Sequence, residues 1–177
     1  MPKIIADLRE TLLHTAREIL LGEGYGALTM REIAARCGIA VGTLYNYFPS
    51  KETLAAHVML EDWQHALADM TQGAQHAGSA LEAVRHVFDG IVGFWRIYAP
   101  SWQEYTDAGS ASAPRISYHH VLIEQLAQII APALERFGCL YAPALPSFLA
   151  EALLTAAANG DTYFGDIAPI LTRILKP

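Results

Sequence analysis

The sequence predicts an all-α chain, in which a three-helix N-terminal unit holding a helix-turn-helix joins a larger helical bundle. Two observations carry this reading. Apolar residues recur at three- and four-residue spacing along most of the chain, and no segment alternates convincingly with period two. Charge also divides the chain: residues 1–52 carry six basic and six acidic side chains, whereas residues 53–177 hold the whole net charge of -6. The predicted boundary follows that change, with residues 1–52 as one domain and 53–177 as the other.

The bulk composition narrows the class. A chain of 177 residues with 53% apolar and 17% charged residues can bury a real core and is not disordered. No apolar run approaches the ~18 residues of a membrane span, and residues 1–10 lack the apolar core of a signal peptide. A cytoplasmic protein without membrane contact is expected. Cys37 and Cys139 are far apart and show no ligand spacing, so neither a disulfide framework nor a zinc site is expected.

The elements follow in order. Leu8, Leu12, Ala16, Ile19 and Leu20 mark a first helix that Gly22 and Gly24 end. Thr29 and Glu32 form a capping box for a second helix, with Ile33 and Ala34 inward and Gly38 as its stop. Val41 to Phe48 reads as a short third helix, broken by Pro49. Ser50 caps a long fourth helix with an apolar face at Leu54, Val58, Trp63 and Met70. Leu81 to Tyr98 form a fifth. Ala99 to Pro114 reads as irregular, with one short helix around Trp102 and Tyr105. A long helix follows from Ile116 to Phe137, which Pro132 should kink. Pro143 and Pro146 introduce another that ends near Gly165, and Asp166 caps the last, with Pro169 in its first turn.

The chemistry concentrates between Leu28 and Leu54, LTMREIAARCGIAVGTLYNYFPSKETL. A helix, a glycine turn and a second short helix make a unit whose second helix can enter a major groove. Small residues at Val41, Gly42 and Thr43 let the backbone approach base edges. Val41 suits a thymine methyl and Asn46 an adenine. Thr43, Tyr45 and Tyr47 offer hydroxyls to phosphates. Ser50 and Lys51 set amides and a cation at a helix start, where anions are favoured. Arg31, beside the cap Thr29, can reach a phosphate or a guanine edge. Leu44 and Phe48, four apart, must face inward. Tyr45 and Tyr47 lie two apart on different faces, so at least one is exposed.

This segment resembles the TetR family of repressors. The pattern is carried by Thr29, Ile33-Ala34, Gly38, Gly42-Thr43-Leu44-Tyr45, Tyr47-Phe48, Ser50-Lys51-Glu52 and Leu54, with Ala16, Ile19, Leu20, Gly24 and Tyr25 upstream. Ala40 stands where the family often has a serine cap. The resemblance covers residues 9 to 55, and the rest matches only in helical layout.

The resemblance implies a repressor released from operator DNA by a small effector, with the second domain as a ligand-binding and dimerisation bundle. The candidate pocket residues are Trp63, Trp95, Tyr98, Trp102 and Tyr105, which favour an apolar or aromatic effector; Phe88 is expected in the core. The resemblance also implies a homodimer built from the last two helices. Leu149, Ala152, Leu153, Ala156 and Gly160 on one, with Ile170 and Ile174 on the other, are the expected interface. Such a dimer would read a near-palindromic duplex with recognition helices about 34–36 Å apart.

The alternatives are a ligand- or protein-binding module whose helix-turn-helix no longer reads DNA, or a constitutive architectural protein. Adjacent His119-His120 diverge by about 100° on a helix, and Glu82 with His86 lacks co-ligands, so no metal or other cofactor is expected. No nucleophile elbow, phosphate loop or paired carboxylates point to an enzyme.

Overall fold

A computed structural model describes residues 7–107, 115–139 and 141–176, with side chains described outside 101–118. Every regular element among the described residues is a helix: α1 Leu8–Gly22, α2 Met30–Cys37, α3 Val41–Tyr45, α4 Lys51–His76, α5 Ala80–Asp107, α6 Arg115–Arg136, α7 Leu145–Ala158 and α8 Phe164–Ile174. None is long and apolar enough to cross a membrane.

The contacts divide the chain into two compact units. One holds Met1–Asp62 with Ile97–Ala113, the other Trp63–Arg96 with Pro114–Pro177. In the first, Leu12, Leu13, Ala16, Ile19 and Leu20 of α1 are buried, as are Leu28, Ile33, Leu44, Phe48 and Leu54. Gly38 is indispensable to the turn between α2 and α3. It sits at φ +66, where a Cβ is strained, and the Ile39 N–H behind it closes on the Ala34 carbonyl at 3.0 Å. In the second unit, Val84, Val87, Phe88 and Ile91 of α5 pack with Leu126, Ile130 and Leu134 of α6, Leu149 and Leu153 of α7, and Leu171 of α8. Phe88 is core, as expected. A Cβ at Gly90 would collide with the Met70 side chain, so α4 and α5 approach closely there.

Several boundaries differ from expectation. α3 stops at Tyr45, and the Tyr47 and Phe48 amides both close on the Leu44 carbonyl, at 3.0 Å each. The stretch from Ala99 is not irregular: α5 continues through Pro100 to Asp107, because one proline removes one donor without ending a long, otherwise favourable helix. The side chains of Trp102 and Tyr105 lie outside the described residues. α6 runs through Pro132, which the sequence also placed inside one long helix. α7 ends at Ala158, well before Gly165, in a turn where Gly160 takes φ +69. The last helix starts at Phe164, so Asp166 lies inside its first turn. There its carboxylate accepts from the Tyr163 N–H at 2.9 Å, and Pro169 falls beyond the first turn.

Candidate nucleic-acid interface

The backbone around α2 and α3 follows from local chemistry. Thr29 is extended, and its hydroxyl oxygen accepts the Glu32 N–H at 3.1 Å. The predicted return contact is absent. The Glu32 carboxylate instead accepts from Arg36 Nε at 2.7 Å, one turn on, where an ion is available. Ala40 provides no side-chain cap for α3. Ser50 does cap α4, its hydroxyl accepting the Thr53 N–H at 3.2 Å.

Leu44 and Phe48 are buried and anchor the short helix from below. Its outer side carries Gly42, Tyr45 and Asn46, all exposed, and Tyr47 in the turn that follows. The two tyrosines are 51% and 46% exposed, so both rings, not merely one, are open to a partner. Val41 and Thr43 are half-buried at the helix start. Thr29 and Arg31 are exposed at the start of α2.

Ion pairing sorts the cations of this unit. Arg9 pairs with Glu61 at 3.4 Å, Arg17 with Asp62 at 2.7 Å, and Arg36 with both Glu32 and Glu23 at 2.7 and 2.8 Å. Arg31 and Lys51 take part in no ion pair among the described residues. Lys51 is held in another way, with Nζ 4.2 Å from the centre of the Tyr25 ring. The Tyr25 hydroxyl donates to Glu52 at 3.3 Å. Partial burial works against the Glu52 charge. Its own backbone N–H at the helix start, the Ser50 and Tyr25 hydroxyls and the Lys51 charge outweigh that and hold the carboxyl below its usual range.

A cluster that the sequence did not reveal lies in the same unit. The Tyr98 hydroxyl of α5 donates to Asp62 Oδ2 of α4, while Arg17 Nε of α1 donates to Asp62 Oδ1 at 2.8 Å. Arg17 also reaches Glu61 at 3.3 Å. One carboxylate thus ties three helices. Burial, then the hydrogen bond and charge of Asp62, push the Tyr98 phenol well above its ordinary value. Burial opposes the Arg17 charge, but Asp62 and Glu61 more than compensate and raise its value.

Residues 12–58 match the family profile of the "Bacterial regulatory proteins, tetR family". The match covers the segment that holds the helix-turn-helix, about a quarter of the chain. The chain is similar to the HTH-type transcriptional regulator UidR of Escherichia coli, with 42% identity over 60 residues, 34% of this chain and 31% of that protein. It is also similar to the HTH-type transcriptional repressor KstR of Mycolicibacterium smegmatis, 35% identical over 76 residues, 43% of this chain and 37% of that one. The matches thus span about a third of these curated relatives. In fold the chain is similar to a TetR regulator from Legionella pneumophila, with TM-score 0.56 and 22% identity over 98% of this chain and 100% of that one. A TetR-family regulator from Pectobacterium atrosepticum gives TM-score 0.62 and 23% identity, covering 94% and 88%.

In the second unit the predicted pocket residues are dispersed. Trp63 is buried, with Nε1 donating to Gln125 Oε1 at 2.9 Å and its ring edge-on to Phe94 at 5.0 Å. Trp95 is half-buried. Tyr98 belongs to the other unit and is committed to Asp62. A cavity of about 540 Å³ lies instead between α4 and α6, lined by Leu67, Thr71, Ala74 and Gln75 on one side and residues from Gln125 to Arg136 on the other. Neither Trp63, Trp95 nor Tyr98 lines it.

The expected interface residues also separate. Leu149 and Leu153 are buried in the subunit's own core, because the apolar side of α7 is already used there. Ala152 and Gly160 are exposed, Ala156 and Ile174 half-buried. Ile170 is 60% exposed, and Phe148, which the sequence reading passed over, is 61% exposed. Among the described residues no cluster of three His, Cys, Asp or Glu could hold a metal.

Proposed function

We propose that this chain is a regulator of the TetR family, an effector-controlled repressor that binds a near-palindromic operator as a homodimer. The observation that carries the reading is the outer side of α3. Tyr45 at the end of α3 and Asn46 and Tyr47 in the turn after it stand exposed, pinned from below by Leu44 and Phe48 and followed in the chain by the clamped Lys51. Phosphate contacts are assigned to Thr43, Tyr45, Tyr47, the Ser50 segment and Lys51, base contacts to Val41, Gly42 and Asn46, and either to Arg31 beside Thr29. KstR, a relative over this segment, is named a repressor, which supports repression here.

The dimer would use the exposed residues of α7 and α8: Phe148 with Ala152, Ile170 and the edges of Ala156 and Ile174. A twofold assembly suits a palindrome. DNA contact is assigned to residues 1–52, effector binding and dimerisation to 53–177. A ligand relieves repression only if it prefers the DNA-incompetent state. α4 offers the route, since one helix of 26 residues, about 39 Å long, contributes Lys51 to the first unit and Trp63 to the second.

The test is selection of duplexes from a random library, followed by titration of the selected duplex and a screen for small molecules that release it. A selected near-palindrome released by one compound supports the reading. Equal affinity for all duplexes, unchanged by every compound, would indicate an architectural protein.

A further inference from the structure

The α4–α6 cavity has a defined polar chemistry. An indole N–H can only donate, so the bond from Trp63 Nε1 fixes Gln125 with its carbonyl oxygen toward the tryptophan. The other end of that amide, an NH2 group, has no protein partner among the described residues and belongs to a side chain that lines the cavity. Gln125 therefore offers donors there.

The acceptor comes from the backbone. α6 continues through Pro132, which has no N–H for the carbonyl of Gln128 four residues earlier. Both residues line the cavity, so a residue whose carbonyl is deprived of its helical donor belongs to the same wall, one turn from Gln125. Leu67, Ala74, Ile129 and Ala133 supply apolar surface.

Charge is absent by a specific arrangement. Among the described residues Arg136 is the lone charged one in the lining, and its guanidinium is spent on the carbonyls of Ala74 and Gln75 in α4 and of Ala77 just after it. No carboxylate among the described residues lines the space. An anion would find no available cation and would face the Gln128 carbonyl. A cation would find no counter-charge.

We propose that this cavity binds an uncharged ligand bearing a carboxamide on an apolar body, its carbonyl accepting from Gln125 and its N–H donating to the Gln128 carbonyl. The regulatory consequence rests on the effector-controlled reading above; the site itself does not. The volume lies within the range of small-molecule sites, about 300–1,000 Å³, and leaves room for a body larger than a single ring.

The probes are benzamide, N,N-dimethylbenzamide, ethylbenzene and benzoate, titrated into the full chain by calorimetry and by Trp63 fluorescence, with Trp63→Phe as the optical control. Benzamide should bind tightest. Removing its N–H donors should weaken binding about tenfold, the worth of one net hydrogen bond. Ethylbenzene should bind more weakly still, and benzoate not at all. Gln125→Glu keeps an acceptor for Trp63 but replaces the NH2 with oxygen, and should abolish benzamide binding while circular dichroism stays unchanged. The ligand series needs no variant, so a misfolded Gln125→Glu would not protect the proposal. Equal binding of benzamide and ethylbenzene, no benzamide binding up to its solubility limit, or preference for benzoate would overturn the site. Benzamide that binds as expected but leaves the affinity of the selected duplex unchanged would overturn effector coupling through this site and leave the site standing.

Discussion

The pairing of cations in the first unit makes the salt dependence of DNA binding a sharp test. Each phosphate-bound cation adds about -0.9 to the slope of log affinity against log salt. Of the described cations near α2–α4, Arg31 and Lys51 make no close ion pair, whereas Arg9, Arg17 and Arg36 are already paired. Two per protomer make four in the proposed dimer, for a slope of about -3.6. Affinity should then fall about 150-fold between 50 mM and 200 mM salt. Arg31→Ala should halve the slope to about -1.8, so that the same change in salt costs only about 12-fold. Arg36→Ala removes a charge that is already neutralised by Glu23 and Glu32, and should leave the slope within about 0.5 of the parent. Fluorescence anisotropy on the selected duplex at five salt concentrations measures all three. A chain lacking residues 1–6 isolates any share from Lys3. Equal slope changes for Arg31→Ala and Arg36→Ala would refute the argument, because they would show that ion pairing does not decide which cations meet phosphate.

Other expectations follow from the same contacts. Tyr98→Phe removes a donor to a carboxylate and should cost about 1.5–3 kcal/mol in urea unfolding. Because the folded Tyr98 phenol is raised above its unfolded value of 10.0, its contribution is complete below that pH and is lost as pH rises above it, and Tyr98→Phe should flatten that alkaline decline. Gly38→Ala forces a Cβ into the left-handed region and should cost about 1–2 kcal/mol, measured by thermal unfolding. Ile170→Arg, at an exposed site, should leave helicity intact and yield monomers in sedimentation with much weaker duplex binding; a dimer in that variant would place the interface elsewhere.

What the sequence disclosed was local. The inward pair Leu44 and Phe48, the Thr29 and Ser50 caps and the Gly38 stop all depend on residues within one turn, and each stands where the spacing placed it. Contacts that depend on three-dimensional return of the chain stayed hidden. Asp62 and Tyr98 are 36 positions apart, and nothing in either neighbourhood marks the other, so Tyr98 reads from sequence as an available hydroxyl. The run from Ala99 to Pro114 reads as broken because proline, glycine and serine dominate it, yet α5 tolerates Pro100. The four-residue strip on α7 was visible, but which side the core consumes depends on α6 and α8, and that choice buried Leu149 and Leu153. The cavity carries no bulky aromatic that would mark it in the sequence; glutamines, a proline and small apolar residues form its wall.

The central claim is that the outer side of α3 reads base sequence. Its most direct test is selection from a random duplex library, run in parallel with the parent protein, Val41→Ala and Asn46→Ala. The account predicts a near-palindromic parental site and altered preference at symmetry-related positions in each variant, with each lost base contact worth about 1–3 kcal/mol. Variants that select the parental sequence unchanged, or a parent that enriches no sequence at all, would contradict it.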